Sequence, residues 1–122
     1  MQCIAMSRRR LTLECIDLYY LHRIDAKASL DEQMGVLAEA SAGGSIRLIG
    51  LCRVTAEQLR QARQIAPIAA VQNRYSHQPP RRGHEGHRLL RRNDIALVPL
   101  LIPGTADLAH LEENCRLTVI PD

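Results

Sequence analysis

Short apolar runs alternate with helix-like segments along this chain, and the alternation restricts the fold more than any other feature. Apolar runs of strand length predict β-strands at Ile16–Leu21, 46–51, 68–72 and 95–102. Helices are predicted between them at 30–42, 55–65 and 85–92. Strands and helices in strict alternation favour a parallel sheet with right-handed crossovers. The sequence therefore predicts the α/β class, with about four parallel strands.

Capping residues mark the helix boundaries. Ser29 is followed three residues later by Glu32, a pattern typical of a capping box, and Gly43 predicts the end of that helix. Thr55 is predicted to start the next helix. The apolar face of the first of these helices is predicted to contain Leu30, Met34, Val36 and Leu37.

Three further segments have less regular patterns. Residues 7–13 are expected to form the last turn of a helix whose arginines point outward. Pro99 inside the run 95–102 favours an edge strand or a bent strand, because proline lacks the N–H that a sheet ladder uses. Residues 105–114 are predicted to form a final helix, which Thr105 caps.

Length and composition indicate one domain over residues 1–122. Hydrophobic residues make up 46% of the chain and aromatic residues only 2%, so aliphatic side chains must fill the core. The four cysteines are widely spaced, the amino terminus has no secretory signal pattern, and no apolar run approaches the roughly 20 residues of a membrane span. These features favour a cytoplasmic protein with reduced cysteines and no membrane partner.

The basic residues do not indicate a nucleic-acid partner. Fifteen arginines stand against a single lysine, Lys27, and the formal net charge is +3. Nucleic-acid binding requires a concentrated basic stripe, usually within a recognisable module, and the sequence contains no such module. Solvated helix faces are the preferred interpretation of the arginine runs.

Polar residues follow the predicted strands, which places them at one edge of the predicted sheet. His22 follows the first strand, Cys52 and Arg53 the second, Gln72 and Asn73 lie at the end of the third, and Gly104 and Thr105 follow the fourth. Ligands of parallel α/β sheets bind at the carboxyl ends of the strands. This coincidence predicts a functional site at that edge.

Two other kinds of site compete with it. His77, His84 and His87 suggest a metal site, but zinc typically needs three or four ligands with an ordered surrounding shell, and no metal is predicted. The thiol of Cys52 beside Arg53 suggests a lowered pKa and a reactive cysteine, although one neighbouring arginine is weak support.

Four segments together resemble the aldo/keto reductase family, and they occur in the family's order and spacing. They are SRRRLTLECIDLYYLHRID, EQMGVLAEASAGGSIRLIGLCRVT, IAPIAAVQNRYS and IPGTADLAHLEEN. The resemblance implies a partial (β/α)8 TIM barrel that begins at the family's fourth strand. It also implies an oxidoreductase class that reduces aldehydes and ketones with NADP(H).

The catalytic set of the family is incomplete in this sequence. His22 matches the family's histidine, whereas the family's Asp, Tyr and Lys lie on its first three strands, which have no counterpart here. Lys27 lies in the wrong place, and Tyr20 matches a barrel position rather than the proton donor. A truncated reductase that is inactive alone is therefore expected, with His22 as a remnant.

The resemblance also implies a set of cofactor-binding positions. Gln72 matches the carboxamide-binding glutamine, and Leu100 aligns with the aromatic residue that stacks on the nicotinamide. Cys52 and Arg53 replace the usual Ser-Asn pair. The positions expected near the adenosine phosphate and the adenine are Gly104, Thr105, His110, Glu113 and Asn114.

Two alternatives to a reductase stay open. One is a non-enzymatic interaction module, a half-barrel that forms a homo-oligomer or pairs with a partner chain to cover its sheet. The other is a gene fragment that forms no stable protein. The flanking DNA separates these possibilities. If it encodes the missing first three strands in any reading frame, the chain is a piece of an intact enzyme.

Overall fold

A computed structural model of the chain describes residues 2–74 and 84–100. The described elements follow one another as α1 (Gln2–Leu11), β1 (Ile16–Leu21), α2 (Leu30–Ala42), β2 (Ile46–Cys52), α3 (Ala56–Ile65), β3 (Ala70–Arg74), α4 (His84–Arg92) and β4 (Ala96–Leu100). The strands form one parallel sheet in the order β1-β2-β3-β4, so each strand pairs with the next one in the chain. This architecture confirms the predicted α/β class and the partial barrel of four parallel strands.

The register of the sheet aligns the carboxyl ends of its central strands. Tyr20 on β1 pairs with Gly50 on β2. Cys52, the last residue of β2, pairs with Gln72 on β3, and Gln72 pairs with Val98 on β4. Directly paired residues direct their side chains to the same face of a sheet, so these positions share one face.

The helices cover the opposite face and form the core with it. Ile49 (2% exposed), Leu51 (0%) and Val71 (1%) are buried from the strands, and Met34 (0%) and Ala62 (0%) from the helices. The core of the described residues contains no buried polar or charged side chain. The expectation of an aliphatic core is thus confirmed in the described part of the chain.

The other face of the sheet carries apolar side chains that no described element covers. Leu18 is 37% exposed, Leu48 46% and Val98 36%, and Leu18 pairs directly with Leu48. Alternation along a strand explains the contrast with the buried Ile49 and Leu51, because neighbouring residues point to opposite faces. The described sheet therefore has one covered face and one partly open face, on which Ile16 and Ile46 are buried at 7% and 1% exposure.

Both predicted helix starts are confirmed by reciprocal capping bonds. The Oγ of Ser29 accepts from the N–H of Glu32 at 3.1 Å, and a carboxylate oxygen of Glu32 accepts from the N–H of Ser29 at 2.9 Å. Thr55 and Gln58 make the same pair of bonds at 3.1 and 2.9 Å. The helix α2 ends at Ala42 with Gly43 as its C-cap, as predicted, and Gly44 follows at φ +70°, a conformation that glycine adopts without strain.

The predicted end of the first helix is confirmed, but two details were wrong. The helix spans Gln2–Leu11 and so ends within 7–13, and Arg9 and Arg10 are exposed as expected, whereas Arg8 is half-buried and its Nη1 donates to the Oγ of Ser45 at 3.1 Å. Val36 is 38% exposed and does not belong to the buried face of its helix. In both helices, residue type alone did not indicate which side the neighbouring strands contact.

The third strand lies two residues later than predicted. It spans Ala70–Arg74 rather than 68–72, although Ile68 is buried at 7% exposure. The reason is that Ile68 packs into the core before the pairing with β4 begins at Ala70. Gln72 therefore lies inside the strand instead of closing it.

The predicted edge position of Pro99 agrees with its place in β4, the last strand of the described sheet. The predicted helix over 105–114 lies outside the described residues. Within the described ranges, no helix has the length and apolar character needed to cross a lipid bilayer.

Candidate functional site

The side chains of Cys52 and Gln72 meet where β2 and β3 lie side by side. The two residues pair in register, and the Cys52 thiol donates to the Oε1 of Gln72 with 3.5 Å between sulfur and oxygen. Cys52 is 4% exposed, whereas Gln72 is half-buried. Among the described residues, the Nε2 group of Gln72 has no hydrogen-bond partner, so it is available to an acceptor from outside them.

The backbone at Arg53 turns sharply beside this pair. Its N–H donates to the carbonyl oxygen of Gln72 at 2.9 Å, and its φ is +56°, in the left-handed region that residues with a side chain rarely adopt. The Arg53 side chain is exposed. A residue that is always charged at physiological pH therefore follows Cys52 directly, with its backbone N–H held against Gln72.

Asn73 holds the loop that follows Arg53. Its Nδ2 donates to the carbonyl oxygen of Val54 at 2.8 Å, and its Oδ1 accepts from the N–H of Val54 at 3.0 Å. One side chain thus binds both backbone groups of one residue. No role was predicted for Asn73 beyond its place after Gln72, and an amide next to a strand-end glutamine was the only signal in the sequence.

Tyr20 on β1 lies on the same face of the sheet as Cys52 and near the same edge. Its ring lies so close to Gly50 that a Cβ on Gly50 would meet ring atoms at 2.6 Å. Burial raises the pKa of the Tyr20 phenol above 10.0, and the neighbouring Cys52 raises it further. A phenol with a raised pKa is a poorer proton donor at neutral pH, which fits the expectation that Tyr20 is not the family's acid.

His22 follows β1 at the same end of the sheet and is exposed. The loop after it is held by Gln33, whose Oε1 accepts from the N–H of Asp25 at 2.8 Å and whose Nε2 donates to the carbonyl oxygen of Asp25 at 3.0 Å. Lys27 lies in the turn of that loop and is exposed. This role of Gln33 was not predicted, because in the sequence the residue is only one polar position of a helix.

The remaining predicted cofactor positions lie at or beyond the end of β4. Leu100 is the last residue of that strand, and its backbone pairs with Arg74, two residues after Gln72. Five predicted positions lie outside the described residues: Gly104, Thr105, His110, Glu113 and Asn114.

Of the two competing sites, the histidine site includes His77, which lies outside the described residues. Among residues 2–74 and 84–100, no three His, Cys, Asp or Glu side chains are grouped to hold a metal ion. The Cys52 thiol is buried, whereas reactive cysteines are typically partly exposed. The Cys52–Gln72 pair is therefore better suited to binding than to cysteine chemistry.

Comparison with known proteins identifies the family to which the fold belongs. The model of the Aldo/keto reductase family matches residues 1–106. Over 75 residues, the chain is 43% identical to aldo-keto reductase str7 of Strobilurus tenacellus and 39% identical to aldo-keto reductase yakc of Schizosaccharomyces pombe. Each match covers 62% of this chain and 22% of the relative, so the chain spans about a fifth of the length of these proteins.

Solved structures of the same kind share the fold. A glycerol dehydrogenase from Gluconobacter oxydans superposes with a TM-score of 0.75 at 22% identity, over 98% of this chain and 40% of that one. The holo form of an aldo-keto reductase from Bacillus halodurans gives a TM-score of 0.67 at 26% identity, over 80% of this chain and 33% of that one. From the family match and the shared architecture, the chain belongs to the aldo/keto reductase family.

Proposed function

We propose that this chain provides the nicotinamide-binding side of an aldo/keto reductase barrel and that its ligand is NADP(H). The observation that carries the proposal is the half-buried Gln72, whose Nε2 has no partner among the described residues and lies at the carboxyl edge of the sheet. An amide is both donor and acceptor, which suits it to the carboxamide of nicotinamide. The name of the yakc relative includes NADP(+), which supports the choice of cofactor.

Small residues and one aromatic ring surround Gln72 on the shared face of the sheet. The Tyr20 ring lies over Gly50, two residues upstream of Cys52, whereas Ala70, two residues upstream of Gln72, puts only a methyl group on that face. The buried Cys52 thiol contacts the Oε1 end of the Gln72 amide, so the Nε2 end is turned away from Cys52 and is proposed to bind the carboxamide. NADPH, when bound, supplies the hydride for reduction of a carbonyl group.

The proposed reaction is the reduction of an aldehyde or ketone, and we do not expect this chain to catalyse it alone. His22, exposed at the mouth of β1, is the one residue proposed to face the carbonyl substrate. The only lysine, Lys27, lies in an exposed turn, and the raised pKa of Tyr20 opposes proton donation. A proton donor from another chain is therefore part of the proposal.

A titration of the purified chain with NADPH tests the binding step. Cofactor fluorescence should saturate, and the melting temperature should rise with ligand concentration, because a ligand that binds only the folded state stabilises it. Gln72→Ala should weaken binding about tenfold, the effect of losing one or two hydrogen bonds. Gln64→Ala, at an exposed position of α3, is the matched control and should leave affinity unchanged.

A gain-of-binding variant sharpens the same test. Because the family usually carries Ser-Asn where this chain has Cys52 and Arg53, the double variant Cys52→Ser/Arg53→Asn should bind NADPH more tightly. Asparagine also tolerates the left-handed backbone of residue 53 better than arginine does. Saturable binding that neither variant alters would contradict the proposed site, and absence of binding by a cooperatively folded chain would contradict the proposed cofactor.

The open sheet face supports a second candidate function, association with another half-barrel. Leu18, Leu48 and Val98 are between 36% and 46% exposed on one side of the sheet. We propose a second copy of this chain as the partner, since the same apolar face would then be covered on both copies. Contiguous exposed apolar surface is typical of interaction sites.

Sedimentation velocity distinguishes this second candidate from a monomer. The chain should sediment as a dimer, and Leu48→Glu should convert it to a monomer, because a carboxylate cannot be buried unpaired in an apolar interface. Val36→Glu is the control, since Val36 is 38% exposed on a helix at the opposite face. A monomeric parent chain would contradict self-association.

A further inference from the structure

The side chain of Asn73 continues the pairing of β2 with β3 beyond the point where the backbone ladder ends. The last register pair is Cys52 with Gln72, and the N–H of Arg53 still donates to the carbonyl oxygen of Gln72 at 2.9 Å. From Val54 onward, the Asn73 amide replaces the neighbouring backbone. It donates to the Val54 carbonyl at 2.8 Å and accepts from the Val54 N–H at 3.0 Å.

These two bonds fix the residue that follows an unfavourable backbone conformation. Arg53 has φ +56°, where the side chain of an L-residue crowds its own backbone. Such a conformation persists only when the bonds around it determine it. Arg53 has one such bond on its own N–H, to Gln72, and the Asn73 amide anchors the next residue on both sides.

Val54 is itself buried, at 7% exposure, and its side chain packs in the hydrophobic core. Backbone N–H and carbonyl groups next to a buried side chain need partners, since water reaches them poorly. The hydrogen bonds to Asn73 meet this need, and they explain why an amide, with one donor end and one acceptor end, occupies position 73.

We propose that Asn73 is a positioning residue, which holds the loop from Cys52 to Val54 in the conformation that sets Arg53 beside Gln72. Asn73 touches no proposed ligand and acts through the loop. The expected loss of NADPH affinity when Asn73 is replaced rests on the proposed function. The expected loosening of the loop is independent of that proposal.

Amide hydrogen exchange by NMR on the full chain measures the loop directly. In Asn73→Ala, protection of the Val54 amide should fall about tenfold, corresponding to loss of one hydrogen bond. The amide of Ala69, which donates to the Ile49 carbonyl at 2.9 Å, should keep its protection and reports on the rest of the sheet. In Asn73→Asp, which keeps the acceptor, the Val54 amide should stay protected.

Asn93→Ala is the matched control. Asn93 is also half-buried, and its Nδ2 donates to the carbonyl oxygen of Leu89 at 2.6 Å, at the end of α4. Asn93→Ala removes one comparable hydrogen bond far from the loop in the sequence and makes no change to the bonds of Val54. The protection of the Val54 amide should therefore not change. If Asn73→Ala does not fold, the comparison of Asn73→Asp with the parent chain still measures Val54.

NADPH titrations of the same variants separate the two proposals. Asn73→Ala should weaken NADPH binding about tenfold while Asn93→Ala binds like the parent chain, because loosening of the loop frees the Arg53 N–H from the Gln72 carbonyl and so lets Gln72 move. If the parent chain binds no NADPH but Val54 still loses protection, the cofactor proposal fails and the positioning of the loop stands. Unchanged Val54 protection in Asn73→Ala would overturn the role of Asn73 in the loop, and unchanged affinity despite lost protection would overturn its effect on cofactor binding.

Discussion

The ring of Tyr20 lies across the backbone of Gly50 on the neighbouring strand, so that a Cβ at residue 50 would meet the ring atoms at 2.6 Å. The two residues pair directly between β1 and β2. The absence of a side chain on Gly50 therefore gives the ring its place on the open face of the sheet, next to the edge that carries Cys52.

Gly50→Ala should destabilise the chain. The new methyl group has to displace the Tyr20 ring, and such overpacking typically costs about 1–3 kcal/mol. The free energy of unfolding from urea denaturation measures it. Gly35→Ala is the control within α2, where a Cβ would meet nothing within 4 Å, and it should instead stabilise the chain by roughly 0.5–1 kcal/mol.

A double variant tests whether the Tyr20 ring causes the loss of stability in Gly50→Ala. In a Tyr20→Ala background, Gly50→Ala should cost much less than in the parent chain, since residues in contact are energetically coupled. Equal costs in the two backgrounds would contradict the contact between Tyr20 and Gly50.

The left-handed backbone at Arg53 reverses the usual order of two substitutions. Arg53→Gly should be more stable than Arg53→Ala by about 1 kcal/mol, because glycine has no Cβ to crowd a backbone at φ +56°. Thermal and urea denaturation of the two variants measure the difference. Arg63, exposed in the helix α3, provides the control: there Arg63→Ala should be more stable than Arg63→Gly, by about 1 kcal/mol.

Tyr20 should make stability depend on pH in the alkaline range. Burial, and secondarily Cys52, raise the pKa of its phenol above 10.0, so the folded state favours the neutral form. The resulting stability is fully present below the unfolded pKa and is lost as the pH rises through the folded pKa. Phenolate absorbance should show one tyrosine ionising late, and Tyr20→Phe should remove that component. A Tyr20→Phe titration curve that retains it would contradict the assignment.

Glu32 should make stability depend on pH in acid. Hydrogen bonds from the N–H and hydroxyl of Ser29 hold the pKa of this carboxyl below 4.5. The contribution is therefore present above the unfolded pKa and is lost as the pH falls through the folded one. Acid denaturation of Glu32→Gln should show a weaker dependence of stability on pH than the parent chain, and an equal dependence would contradict the role of Glu32.

The elements of the fold could be predicted because local signals mark them. The capping pairs Ser29–Glu32 and Thr55–Gln58 are three residues apart in sequence, and both helices begin where these pairs predict. The strand Ile16–Leu21 was predicted at its observed bounds from its apolar run alone. Signals of this kind need no knowledge of the neighbouring elements.

The site was only partly predictable, because its decisive contacts join residues far apart in the chain. That Cys52 and Gln72 lie at one edge followed from strand alternation, and their hydrogen bond across 20 residues confirms that they meet. The two hydrogen bonds between the Asn73 amide and the Val54 backbone depend on the register of β2 and β3, which no local pattern reveals. The same holds for the two-residue displacement of β3, because its start is set by pairing rather than by residue type.

The most direct test of the proposed site is a ¹⁵N NMR spectrum of the full chain recorded during titration with NADPH. The side-chain amide of Gln72 should shift saturably, together with the backbone amides of Cys52 and Arg53, while amides at the amino-terminal ends of the strands, such as Ile16 and Ile46, stay in place. A spectrum in which the Gln72 side-chain amide does not move, or in which the shifts lie away from this edge, would contradict a nicotinamide site there.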